Sequence, residues 1–532
     1  MKVVLVSINA KPVHFSLAPW CLKAYAENAG FSGDIRIIEK TINDPADQIL
    51  AAVAEDLPDV VGFSVYIWNV ACVREVGAAF RKLKPDARII LGGPEVSFQE
   101  DLTAYPFADA IIQGPGEAAF SELLLAGGKP LASILSSPNV PFADLPSPLT
   151  DDFFYTLSRQ GSAGKIFYYE SARGCPFRCS YCLSSLSESV QVLPLDRVFE
   201  EIGRLAVSGA RLVKFTDRTF NADPKRAARV LEYILGLDTP CVFHFEVVPE
   251  LLTDELMLIL EAMPPGRVQL EAGIQSLHPR TLEAIGRVSD PERALHIMER
   301  VARRNNVHVH LDLIAGLPYE TAESFQTAVD ECLRARPHTL QLGFLKLLKG
   351  SAVRSDCARY GLLAFDDAPY EVFQTDTLPY ADMRRFKAAE EVIDRFYNTG
   401  LFTRSLRLGF DKLFHGAFAF LESFYSYLKE AGKPRYALKE AYSLLYRFLL
   451  LHGGGDEAAH CVKLDVLGHG ERSLLPEGID ALRDTSAEMA WMRSKARIRV
   501  ERYAYDGLTR VYDLSRRHPV TGEYVIVDER LS

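Results

Sequence analysis

At 532 residues the chain is longer than the roughly 250–300 residues at which single cores stop growing, so two or three domains are expected. Apolar residues at 48% and charged residues at 24%, with no long polar tract, describe a globular chain with a large core and exclude bulk disorder. The formal charge of −10 argues against bulk capture of nucleic-acid phosphates, and no apolar run reaches the ~18 residues of a membrane span.

The opening "MKVVLVSINA" has a short apolar run and no small-residue cleavage site, so it reads as a first strand and not a leader. An odd cysteine count in a large unsecreted chain places it in a reducing cytoplasm, where clustered thiols mean metal or redox chemistry. Up to about residue 125, apolar runs at Val3–Ile8, Asp34–Ile38, Val60–Ser64, Arg88–Leu91 and Ala110–Gln113 alternate with amphipathic stretches at Pro19–Asn28, Ala46–Ala54 and Ala71–Lys82. That order predicts a doubly wound, Rossmann-like parallel sheet with ligand loops after Ile8, Ser64, Leu91 and Gln113. Residues 1–135 are taken as this domain, and the proline- and serine-rich stretch 136–164 as a surface linker.

From Ile166 the alternation resumes, with strands expected at Ile166–Glu170, Leu212–Thr216, Val242–Val247, Val268–Ala272, Val309–Leu313 and Thr339–Phe344. Six strands in βα order predict a partial barrel over residues 165–365, with chemistry in the loops at the carboxyl ends. Residues 366–532 form a third, mostly helical region, rich in aromatics at helical spacing and ending in a possible hairpin. The fold class is therefore α/β, with a helical extension.

The first barrel strand leads into "ESARGCPFRCSYCLSS", which crowds Cys175, Cys179 and Cys182 into eight positions. Three thiolates at this spacing can hold three corners of a [4Fe–4S] cube and leave one iron open. A structural zinc site would want a fourth ligand, and no His or Cys stands at a finger-like distance. Three core cysteines are the other alternative.

The loop resembles that of the radical S-adenosylmethionine (SAM) enzymes, in which C-x3-C-x-aromatic-C follows the first barrel strand. The resemblance implies that the open iron chelates SAM and that Tyr181 packs the adenine. It extends to "VKFTDRTF", implying roles for Thr216 and Asp217 near the SAM amino group, although a glycine pair common in the family is replaced here. In "LEAGIQS" it implies that Glu271 and Gln275 face SAM or substrate. In "AIGR" it implies that Arg287 pairs with the SAM carboxylate, as a guanidinium fork suits a planar anion. In "HLDLIAGLP" it implies that Asp312 points inward and that Gly316 allows close approach to adenine. Taken singly, Glu271 could be an ion-pair partner and Asp312 a turn ligand.

The N-terminal loops resemble the cobalamin-binding domain that precedes the barrel in one subclass of that family. They are "GFSVYIWN" with Ser64, Tyr66, Trp68 and Asn69, "LGGPEVS" with Gly92 and Gly93, and "IIQGPGEAAF" with Gly114, Gly116 and Glu117. The D-x-H-x-x-G motif of an axial histidine is missing, which implies cobalamin without a histidine below cobalt. Tyr66, Trp68 and Asn69 are placed near that face. Core aromatics and an ordinary Gly92–Gly93 turn are the plainer alternatives. A methylthiotransferase would need three further upstream cysteines, and only Cys21 and Cys72 precede the linker.

The "GFDKLFHGAFAFLESFYSYLKEAG" region resembles an uncharacterised extension of some such proteins; its stripe reads as core first and as a cap on the barrel mouth second. His244, Glu246 and Lys346 are candidate substrate contacts. The resemblance implies a cobalamin-dependent enzyme that uses a 5′-deoxyadenosyl radical and methylcobalamin to methylate an unactivated carbon. Rearrangement or cyclisation without methyl transfer, or a non-catalytic cobalamin-binding protein, are the alternatives. The expected partners are a small-molecule or peptide substrate and a flavodoxin- or ferredoxin-type electron donor.

Overall fold

Along the first strand, β1 (Lys2–Asn9), Val3 and Leu5 face one apolar cluster while Val4, Val6 and Ile8 face another, so both sides of the strand are buried. The computed structural model describes the whole chain except residues 139, 161–163, 188, 433–435, 481, 484–496 and 532. It divides into two units, one comprising Met1–Val247, Ile285–Arg287 and Leu345–Phe373, the other Val248–Ala284, Val288–Phe344 and Gln374–Ser532.

In the first unit, a two-residue strand β2 (His14–Phe15) follows β1, and then come β3 (Asp34–Thr41), β4 (Val60–Ser64), β5 (Arg88–Gly92), β6 (Ala110–Gln113) and β7 (Ile134–Ser136). All but β2 form a six-stranded sheet in the order β3-β1-β4-β5-β6-β7, parallel at every pair. Helices Ala46–Ala54 and Val70–Leu83 pack against each other, as do Ala18–Asn28 and Glu117–Leu125, whose buried residues belong to the opposite cluster. The strand order reverses between β1 and β4, so a crevice at their carboxyl ends is where a doubly wound sheet takes its ligand.

The stretch expected to be a surface linker is partly core. Helix Asp151–Gln160 buries Phe153 among Phe15, Trp20 and Phe167, with ring centroids 5.3 and 5.2 Å away for the first two. Its proline-rich flanks disguise an amphipathic helix whose apolar face has rings to meet.

The same unit continues with β8 (Ile166–Tyr169), the short ribbon of β9 (Ala172–Arg173) and β10 (Gln191–Val192), then β11 (Leu212–Phe215) and β12 (Val242–Val247). β2 runs parallel to β8, β8 to β11, and β11 to β12. The second unit carries β13 (Val268–Gln275), β14 (His308–Ala315) and β15 (Thr339–Phe344), again parallel. Strict alternation of burial along β13 and β14 gives each strand one sequestered and one half-open face. The α/β class and the βα order expected from the sequence hold in both units.

Two short strands, β16 (Leu363–Ala364) and β17 (Val372–Gln374), pair after β15. Helices Tyr380–Val392, Ala417–Glu430, Leu438–Leu451 and Gly455–His469 follow. The Phe386 ring lies 4.4 Å from that of Phe325 on helix Ala322–Arg334, tilted by 42°, and Phe420, Phe424 and Phe448 pack together with Phe414. The aromatic stripe is therefore core. The expected hairpin is the middle of a four-stranded antiparallel sheet of β18 (Leu482–Arg483), β19 (Ile498–Tyr503), β20 (Leu508–Arg517) and β21 (Tyr524–Leu531).

Candidate active site

The cysteine loop leaves β8 and is closed at its base by the β9–β10 ribbon. Gly174 enters it at φ 100°, and a Cβ there would lie 2.4 Å from the Ser189 carbonyl, so only glycine lets the chain turn in. Within the loop the Cys182 amide donates to the Cys179 carbonyl, and Ser180 donates to Ile285. Arg178 Nη1 donates to the carbonyls of Ser185 and Ser187. Gly286, at φ 65°, brings the "AIGR" turn against the Arg178 carbonyl.

All three thiols are free; Cys179 is buried and the others half-buried. Arg287 Nη1 stands 4.0 Å from Cys179 Sγ, and Thr219 Oγ1 lies 3.6 Å from Cys175 Sγ. Burial pushes the Cys179 thiol up, and the Arg287 guanidinium opposes that shift. Burial likewise raises Tyr181, the aromatic neighbour. Soft donors free of disulfides on one pinned loop, beside a cation that favours thiolate, suit an iron–sulfur cluster.

Thr216 and Asp217 turn out to be bound into the protein. The Thr216 amide donates to the Tyr169 carbonyl, and its hydroxyl reaches the same oxygen at 3.4 Å. Asp217, 2% exposed, accepts from the Ser171 amide and hydroxyl at 2.7 and 2.5 Å. Burial pushes its carboxyl up to about 6 against those bonds. It braces the first residues of the cysteine loop, a role its place in a strand-end motif did not reveal.

On β11 and β12, Lys214 is in register with His244 and its Nζ is 3.9 Å from Glu246 Oε1. His244 is buried, and Lys346 makes a backbone bridge with Glu371. In the second unit, Glu271 on β13 is in register with His310 on β14. His310 lies 4.0 Å from Glu271 and 3.2 Å from Asp312, so the structure gathers two expected residues around a histidine that was not singled out. The i, i+2 alternation of "HLD" was the available signal. Gln275 has φ 69° and folds its amide over Gly273, where a Cβ would meet it at 2.0 Å. Gly316 leaves β14 at φ 86°.

At the switch point of the first sheet, Trp68 is 44% exposed and stacks on Tyr66 with centroids 4.3 Å apart and planes 9° from parallel. Trp68 Nε1 donates to the Ile8 carbonyl. Asn69 is 1% exposed, and its amide donates to Ile8 and Ser64 and accepts from the Tyr66 amide. Its polar atoms thus staple the loop and do not offer themselves to a ligand. Gly93, at φ 110°, comes so close to Val65 that a Cβ would lie 2.6 Å from its carbonyl oxygen. Gly114, at φ 74°, faces open space, and Ser97 links the two loops through Gly93 and Gly114. Glu117 is buried and pairs with Arg173 at 2.9 Å, which also holds Glu170. His14, on β2 just after β1, is bonded to the Tyr168 hydroxyl at 2.8 Å. An exposed Trp68 ring stacked on half-buried Tyr66, beside bare glycine backbone, fits a broad planar ligand such as a corrin.

Residues 3–124 match the family described as "B12 binding domain", and residues 169–332 match "Radical SAM superfamily". The chain thus carries a B12-binding match followed by a radical SAM match, the pairing that its sequence resembles. Residues 358–518 match a third family, "Protein of unknown function (DUF4080)". The chain is 27% identical over 323 residues to an uncharacterized methyltransferase of Pyrococcus horikoshii, covering 56% of this chain and 69% of that protein. It is 24% identical over 377 residues to the cobalamin-dependent radical SAM methyltransferase TokK of Streptomyces tokunonensis, covering 63% of this chain and about half of that one, 54%. The solved structure of the cobalamin-dependent SAM radical enzyme OxsB with aqua-cobalamin bound shares the fold at a TM-score of 0.59 and 14% identity, over 87% of this chain and 79% of that one. No helix among the described residues is long and apolar enough to cross a membrane.

Proposed function

We propose that the enzyme is a cobalamin-dependent radical SAM methyltransferase acting on an unactivated carbon of a small-molecule substrate. The observation that carries this reading is that one unit contains both a pinned loop of three free cysteines and a glycine- and aromatic-lined crevice at a sheet switch point. The methyltransferase names of the relatives agree with it.

In this reading residues 1–135 hold the corrin, 165–365 hold the cluster and SAM, and 366–532 support the barrel's outer helices. When bound, the cofactors supply a carbon-centred radical and a methyl group. Cys175, Cys179 and Cys182 grip the cluster, and Arg287 orients the carboxylate of SAM while favouring the Cys179 thiolate against burial. Within the first unit Tyr181, and within the second Gln275 and Gly316, are the residues assigned to SAM. Tyr66 and Trp68 bear on the corrin, and Gly93 and Gly114 let backbone approach it. Within the first unit His244, Glu246 and Lys346, and within the second Glu271 and Asp312, are the residues assigned to substrate or SAM. The protein's own contribution is to hold reactive centres in fixed relation and away from water. A flavodoxin or ferredoxin provides the electron.

The test is oxygen-free reconstitution with iron, sulfide and cobalamin, followed by turnover of candidate small molecules with methyl-labelled SAM. Label in the product, together with 5′-deoxyadenosine, supports methyl transfer. 5′-Deoxyadenosine without label in the product points to rearrangement or cyclisation.

A further inference from the structure

Glu95 follows the Gly92–Gly93 turn and is 1% exposed, although nothing in its sequence setting marks it. Its Oε1 accepts from the Tyr370 hydroxyl and pairs with Lys349 Nζ at 2.7 Å, while its Oε2 is buried with no hydrogen-bond partner. Both donors come from Leu345–Phe373, a segment more than 250 residues away in the chain. That segment is stiff. Leu347 donates to the Tyr370 carbonyl, Val372 to that of Leu345, and Lys349 and Arg354 lie 5.6 and 5.0 Å from the Tyr370 ring centre. Gly350, at φ 82°, is pressed on the Phe98 ring, where a Cβ would come within 2.4 Å.

A few residues on, the Val353 amide donates to the carbonyl of Ser180, which lies between Cys179 and Tyr181, at 2.9 Å. Residues 349–353 therefore grip the glycine loop at one end and the cysteine loop at the other. A buried ion pair is a weak source of stability, but it admits one geometry, and its attested use is to set register.

We infer that Glu95, Lys349 and Tyr370 form a positioning clamp that fixes the Gly92–Ser97 loop of the cobalamin crevice to the same short segment that holds the cysteine loop. The inference rests on the cobalamin reading above. The three residues are positioning residues; none needs to touch a reacting atom.

The experiment uses the full-length enzyme, reconstituted with its cluster without oxygen, and hydroxocobalamin as the probe. Tyr370→Phe removes one hydroxyl, and the double variant Glu95→Gln/Lys349→Met removes the charges together, so no unpaired charge is left to unfold the chain. Absorbance titration is expected to show a Kd raised about tenfold in both variants, the size of one charge-assisted hydrogen bond. Iron content and Tm should stay near those of the parent, which a merely structural role would not allow. Parent-like Kd in both variants overturns the clamp, as does a loss of iron in parallel with cobalamin. If the parent itself fails to bind hydroxocobalamin, it is the cobalamin reading that fails, and that outcome is visible before any variant is compared.

Discussion

Arg287 Nη1 stands 4.0 Å from the Sγ of Cys179, on a turn that Gly286 lays against the cysteine loop. The guanidinium favours the thiolate that burial disfavours. Replacing it in Arg287→Met removes that support, so cluster assembly at pH 7 should slow and recover as pH rises. SAM affinity should fall by about ten- to a hundredfold, as expected for a lost charged hydrogen bond of about 1.5–3 kcal/mol. Iron uptake against pH and equilibrium SAM binding check the two halves separately.

Single Cys175→Ala, Cys179→Ala and Cys182→Ala exchanges should each reduce bound iron from about four per chain to near zero. Cys21→Ala should not, because that half-buried thiol stands on helix Ala18–Asn28, outside the cysteine loop, and burial pushes it up out of the reactive range. Iron and sulfide assays after identical reconstitution decide the matter.

Asp217 gives a pH signature. Its carboxyl sits at about 6 in the folded chain, against an ordinary value near 3.8, because burial outweighs its hydrogen bonds to Ser171. The folded state therefore holds the proton more tightly than the unfolded one. This group's stability contribution is fully present below pH ~4 and is lost as pH rises through 6. Between pH 5 and pH 8 the loss is about 1 kcal/mol. Asp217→Asn should thus lower Tm more at pH 5 than at pH 8, when each is compared with the parent by calorimetry; an equal decrement at both would contradict the assignment.

Gly93 is held at φ 110° against the Val65 carbonyl. Gly93→Ala adds a Cβ in a backbone region closed to it, straining the loop by about 1–3 kcal/mol. Cobalamin affinity should drop while iron content is retained. Gly114→Ala, with open space around its Cβ position, should affect the corrin less than Gly93→Ala unless the ligand itself fills that space.

The aromatic stripe of the C-terminal region offers a stability test. Phe420 is fully buried and meets Phe410, Phe414, Phe424 and Phe448. Phe420→Ala should cost about 3–5 kcal/mol and lower Tm without altering cluster spectra.

Local patterns were enough to show the elements of this chain, because alternation of apolar residues reports which faces meet a core. That is why β1, β4, β12 and β15 fall where their apolar runs lie and why the stripe around Phe420 is core. The cysteine spacing pointed to a cluster for a similar reason: three ligands on one short loop need no help from distant chain. Helix Asp151–Gln160 escaped notice because its prolines speak for a linker, while the rings that bury Phe153 come from residues 15, 20 and 167.

Side-chain roles that depend on distant chain belonged to the tertiary structure alone. Asp217 and Glu117 carry the same carboxylate as any ligand-facing acid, and only the placement of Ser171 and Arg173 turns them inward. Asn69 is a staple because β1 ends beside β4. His310 joins Glu271 and Asp312 through a strand register that residues 271 and 310 cannot express by themselves. The sequence by itself determined which elements form and which loop carries the thiols, since both follow from short-range periodicity and spacing. Only the folded chain decided which polar groups point to a ligand and which brace the frame, because burial and hydrogen bonding are set by partners far away in the chain.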